Sequence, residues 1–197
     1  MRDLFVSDAT ATAVWRFHQA AFEQAVLIYT FSRSTSGEPG AGDASTQQLV
    51  MLIDIVHRFC FNARKAIERA DEDRPGTVAE ARHAQVNYET QLHLDSVQDK
   101  SVNLTQEGFW WILGRIIHSR DTQVLYREID LIITNHETGS HFVIEQPVGF
   151  KFASDNDADG VFHCLHLESL AKCYLRNITP KIEEAIRKRN GLDQRPK

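Results

Sequence analysis

Apolar residues change their repeat partway along this chain, and that change limits the possible folds more than any single residue does. From Asp8 to Phe31, Trp15, Phe22, Val26 and Tyr29 recur at helical spacing while Ala20, Ala21, Leu27 and Ile28 widen the stripe, which predicts a long helix. Ser45 and Gln48 have the spacing of a capping box, and Leu49, Leu52, Ile53, Val56, Ala63 and Ile67 carry a second helix to about Ala70. Beyond residue 125 the repeat shortens to two. Ile129, Leu131 and Ile133 alternate, turn chemistry follows at 135–139, and His141 to Ile144 resumes a β-like run, which predicts a hairpin whose second strand Pro147 ends or edges.

Between these regimes the pattern is weaker. Thr77 to Leu94 reads as a surface-lying helix, and Asn103 with Gln106 as the start of a central helix running to Leu125, with Phe109, Trp110, Leu113, Ile116, Ile117 and Val124 as its apolar belt. After the hairpin, Val161 to Leu167 predicts a strand feeding a helix from Glu168, and Thr179-Pro180 marks a restart. The expected fold is α+β: an antiparallel helical bundle over 1–125, then a small β-hairpin or sheet with closing helices over 126–197, in one compact domain.

Composition narrows the class. Hydrophobic residues make up 42% and charged residues 25%, as in ordinary globular proteins. No stretch approaches the ~20 apolar residues of a membrane helix, and Met1-Arg2-Asp3 opens no signal peptide. Cys60, Cys164 and Cys173 are odd in number and unpaired in spacing, so a reducing, cytoplasmic setting is expected, with no membrane partner. A net charge of −5 opposes wholesale coating of nucleic acid. Gly37, Gly40 and Gly42 lack the Lys-Ser/Thr of a phosphate loop, and the nine histidines form no zinc spacing, so neither cofactor nor metal is expected.

On a helix to Leu125, Trp111, Arg115, His118 and Thr122 would share one face. Arg is a permanent cation suited to phosphate, and His moves protons near neutrality, so Arg115 and His118 are the candidate catalytic pair, with Trp111 and Thr122 beside them as binding residues. Asp54, Arg58, Asn62 and Lys65 form a second polar face, from which Arg58 and Asn62 are expected to line the opposite wall of a cleft. Trp15, Trp110 and Trp111 are candidate packing or interface anchors.

The run Leu113-Gly114-Arg115-Ile116-Ile117-His118-Ser119-Arg120-Asp121 resembles a helix of HEPN-like proteins, and Gly160 to Lys172 is similar to a strand-to-helix segment in some of them. The resemblance implies a bacterial defence, toxin or accessory role, pairing into homodimers or with a protein partner, and RNA as a ligand. Active members place the Arg and His farther apart than residues 115 and 118, so it implies binding rather than RNA cleavage. A competing stretch, Glu128-Ile129-Asp130-Leu131-Ile132-Ile133 followed by Phe142-Val143-Ile144-Glu145, is similar to the core of PD-(D/E)xK nucleases, which implies Mg²⁺ on Asp130 and Glu145. Pro147 stands where that family has its Lys. A structural interaction module is the third alternative.

Overall fold

A computed structural model describes residues 9–34, 42–92, 102–134, 139–155, 157 and 161–191, with side chains described at 13–34, 49–88, 106–127, 146–155, 157 and 161–191. The first amphipathic stretch is helix α1 (Ala9–Phe31), and the second is α2 (Gly42–Asp73). These two pack on each other along Val14, Ala21, Ala25 and Ile28 of α1 and Val56, Phe59 and Ala63 of α2, all buried. α2 begins three residues before Ser45, which lies inside the first turn and not at the cap. It ends where Pro75-Gly76 breaks the repeat. Gly76 has φ 104, a left-handed conformation that glycine adopts without a Cβ clash. The Asp71 carboxylate then accepts the N–H groups of Gly76 (3.0 Å) and Val78 (2.9 Å), satisfying donors that the start of α3 (Thr77–His83) leaves open.

The surface helix expected over 77–94 is corrected to α3 plus a strand, β1 (Gln85–Leu92). Val86 and Tyr88 are buried while Gln85 and Asn87 are exposed, a period of two that a helical window averages away. Asn103 and Gln106 are likewise not a helix cap but part of β2 (Val102–Gly108), paired antiparallel with β1. Gln106 Nε2 donates to Asn87 Oδ1 across the ladder at 2.9 Å. The central helix α4 is short (Phe109–Ile117), and its extension to Leu125 is corrected to the start of β3 (Ser119–Thr134). Ser119 Oγ donates to the Ile116 carbonyl (2.7 Å), Asp121 adopts a positive φ of 53 that short polar side chains tolerate, and a register shift separates Arg120 from Gln123. Pairing with the next strand then overrides the helical spacing of Ile117 and Val124.

The hairpin is present as β3 and β4 (Gly139–Ser154), in register from Thr134↔Gly139 outward. Pro147 does not end β4. It faces Tyr126 at a second register shift, and β5 (Val161–His166) pairs with β4 only from Gly149 to Phe152, so the missing N–H at 147 costs the sheet no bond on that side. β5 feeds α5 (Leu167–Lys172), a π-helical segment (Cys173–Ile178) and α6 (Thr179–Arg189), as the strand-to-helix and restart signals predict.

Among the described residues, five strands form one antiparallel sheet in the order β2-β1-β5-β4-β3. The chain is α+β, but β1 and β2 precede α4, so a helical portion ending at 125 is not observed. Phe59 of α2, Phe109 of α4 and Tyr174 of the π segment meet ring to ring in a core that also takes Phe150, Phe152 and Leu165 from the sheet. α6 is tied to the α2–α3 corner by Arg189 on Asp73 (2.8 Å) and by Arg74 on both Glu80 (2.8 Å) and Glu184 (3.0 Å). Among the described residues no helix is long and apolar enough to cross a membrane.

Candidate functional site

α4 presents Trp111 and Arg115 four residues apart on one face, and the guanidinium lies over the indole at 4.7 Å from its centroid. Arg115 Nη1 donates to Asp157 Oδ1. The other carboxylate oxygen, Oδ2, accepts the Ser154 backbone N–H (3.0 Å) and stands 2.9 Å from Nε2 of His163 on β5. The imidazole is buried among the rings of Phe152 (5.3 Å), Tyr88 (5.4 Å) and Trp111 (5.8 Å). With the Nε2 proton directed at the carboxylate, the ring's lone pair sits on Nδ1, which is buried and makes no hydrogen bond.

Asp157 therefore links an arginine from α4 to a histidine from β5 and holds its own loop segment against both. Its side chain is 9% exposed and that of Arg115 22%, so the charges are shielded from water and neutralise one another. A phosphate reaching Arg115 would have to displace a carboxylate that is itself held by three donors. The sequence singled out Arg115 but missed Asp157 and His163. On β5 His163, Cys164 and Leu165 are all buried, so no alternation singles out His163, and no local pattern selects Asp157 from its Asp-rich stretch.

Removing this carboxylate withdraws an acceptor from three donors at once. Asp157→Ala is expected to cost about 2–3 kcal/mol, less than for a fully buried pair because Arg115 keeps some water. Asp155→Ala, two residues away and exposed, is expected to change stability by about 0.5 kcal/mol or less. Urea unfolding of the two variants decides it, and equal losses would remove the bridging role of Asp157.

The other sequence candidates are placed elsewhere. His118 caps the C-terminal end of α4, is exposed, and offers its carbonyl to the Asp155 N–H (3.2 Å). Thr122 lies in the irregular segment of β3, so the four-residue helix face reduces to Trp111 and Arg115 because the helix stops at Ile117. Asn62 donates to Gln24 of α1 (3.1 Å), and Arg58 pairs with Asp54 on the outer side of α2 (2.9 Å). A charged α2 residue set against α4 is instead Arg64, whose guanidinium lies over Trp110 (4.9 Å) and so close to Gly114 that a Cβ there would stand 3.1 Å away. Arg58 and Asn62 therefore do not form a wall opposite Arg115.

No set of three or more His, Cys, Asp or Glu side chains capable of holding a metal occurs among the described residues. Glu145 pairs in register with Glu128 and Asp130 with Val143, but the side chains at 128–145 lie outside the described ones, as do His136 and the side chain of His141. All three cysteines are buried. Burial pushes the Cys173 thiol up to about 12 and that of Cys60 higher still, so neither supplies a thiolate at neutral pH.

One further face is built for contact. Val50, Asp54, Arg58 and Phe61 share the outward stripe of α2, where Val50 is 61% and Phe61 47% exposed, and Met51 beside them is exposed as well. Phe17 of α1 extends the apolar surface by an edge contact with Phe61 at 6.4 Å. No family model matches the chain, and neither a curated protein nor a solved structure is found to match it.

Proposed function

We propose that this protein is a non-catalytic interaction module that pairs with a second copy of itself through the outer stripe of α2. The observation that carries the reading is the self-complementary order of that stripe. Rotation by two-fold symmetry about a point near Val56 brings Val50 against Phe61 of the other copy and Asp54 against its Arg58, as an isologous interface requires. The intrahelical Asp54–Arg58 pair is exposed, worth only ~0.3–0.5 kcal/mol, and free to exchange partners. Two apolar pairs then flank two central ion pairs and shield them from water on either side.

The reading keeps from the HEPN-like resemblance its pairing and its non-cleaving branch. It is supported by the engagement of Arg115 with Asp157, which leaves that guanidinium neither free for phosphate nor coupled to the His118 imidazole as a proton-transfer pair. RNA binding is the competing outcome of the same test.

Charge exchange tests the symmetry directly. Arg58→Asp is expected to convert the dimer to monomer in sedimentation equilibrium, and Asp54→Arg combined with Arg58→Asp is expected to restore it, because the swapped charges again face each other. A wild-type chain that sediments as a monomer, or a double variant no better than the single one, would end the reading. A complex formed only on adding single-stranded RNA would favour the competing one.

A further inference from the structure

The helix that follows β5 opens into a π-helical turn over Cys173–Ile178 before closing again as α6. Pro180 supplies the physical reason. It has no N–H for the carbonyl of Arg176, four residues earlier, and its ring crowds that carbonyl, so the preceding turn widens instead of continuing as a regular α-helix. Such widened turns recur at functional sites because they re-aim side chains out of the helical ladder.

This turn forms one wall of a groove of about 430 Å³, whose opposite wall is the start of β1 and whose floor is α5. The groups facing it are rich in donors. Arg176 is exposed and has no carboxylate partner among the described residues. Asn87 has its Oδ1 taken by the amide of Gln106, which leaves Nδ2 as its free donor end. Ser169 Oγ already accepts the Asn87 N–H at 3.0 Å, so its own proton is available to donate. Lys172 adds a second cation. The carboxylate among the described lining residues, Glu168, is bound by Lys172 and by Arg33 (2.8 Å), and these cations hold it below the usual carboxylate range.

We infer that this groove, lined by Arg176, Lys172, Ser169 and Asn87, is a binding site for a small phosphate monoester of nucleotide size. The volume lies within that of small-molecule sites, and a guanidinium beside amide and hydroxyl donors matches the three terminal oxygens of a phosphate monoester. A long polyanion fits less well. The chain carries a net charge of −5, and counterion release rewards many cations in a row, whereas the described groove lining holds two, Arg176 and Lys172.

The test uses adenosine 5′-monophosphate, adenosine and inorganic phosphate as probes, with calorimetric titration and thermal shift as readouts. The monophosphate is expected to bind and to raise the Tm, adenosine to do neither, and inorganic phosphate to bind more weakly. Arg176→Gln is expected to weaken monophosphate binding about tenfold or more, the loss of a charged hydrogen-bonding partner. Arg187→Gln, an exposed α6 cation paired with Glu183, is expected to leave binding unchanged. Equal weakening in both variants would mean diffuse attraction to surface cations, and absence of binding by the wild-type chain would equally overturn the site. Arg176 is exposed, so a circular-dichroism melt unchanged from wild type without ligand verifies that the variant folds.

Discussion

Phe59→Ala is expected to destabilise the fold by about 3–5 kcal/mol, the largest effect of any substitution considered for this chain. The ring is fully buried, 5.3 Å from Tyr174 at an interplanar angle of 89° and 6.2 Å from Phe109. Those two neighbours belong to the π segment and to α4, so the void is walled by elements that sheet pairing and helix contacts hold apart. Collapse into it is therefore incomplete, and the cavity contribution adds to the lost transfer energy. At this chain length the loss lowers the Tm by roughly 6–20 °C. Leu27→Ala, on the exposed side of α1, is the comparison and is expected to cost about 0.5 kcal/mol or less. Similar melting temperatures for the two variants would show that the three-ring contact does not organise the core. A measured loss at the low end would mean that α4 can shift, which would also move Arg115 relative to Asp157.

The parts of this fold that the sequence disclosed are those in which one repeat persists long enough to be read. α1 and α2 hold a single apolar stripe over many turns, and the β3–β4 hairpin carries β-type apolar runs, Ile129 to Ile133 and Phe142 to Ile144, on both sides of turn-forming residues in the sequence. The region between is ambiguous in sequence because its signals are short and compete. Phe109 to Ile117 is so apolar all round that its stripe runs on in the sequence past the point where the backbone turns, and Val124 then serves a strand in a helical register. Gln106 and Asn87 hydrogen-bond across a ladder that no window of one segment contains. The candidate site divides in the same way. Trp111 and Arg115 are four apart on a real helix and do come together, while Asp157 and His163 reach them through sheet order, a tertiary property. The groove beside Arg176 was invisible because it joins β1 to the π turn across 82 or more residues, and only Pro180 gave a local hint of it.

Lowering the pH is expected to weaken the fold through His18 before the surface ion pairs respond. His18 is buried on α1, with edge contacts to Trp15 (6.0 Å) and Phe22 (6.3 Å), and its Nδ1 stands 2.9 Å from the Tyr174 hydroxyl. Burial pushes the Tyr174 phenol up, so its oxygen keeps its proton and donates it to the neutral imidazole. The same burial lowers the His18 pKa from 6.5 to about 4. The folded pKa is depressed, so the unfolded chain binds the proton first. The contribution is whole above pH 6.5 and is lost as the pH falls toward 4, to about 3 kcal/mol in all. His57, also lowered by burial, erodes stability in the same direction, while Glu68, Glu80 and Glu168, held low by cations, respond only as the carboxylate range is reached. A single wild-type curve would mix these groups, so the informative quantity is the difference between wild type and His18→Gln in urea unfolding. Glutamine keeps a polar group near Tyr174 but cannot take up the proton, so the stability gap between the two chains should close by about 3 kcal/mol between pH 6.5 and 4. Two curves that stay parallel across that interval would place the buried proton-binding group somewhere other than His18.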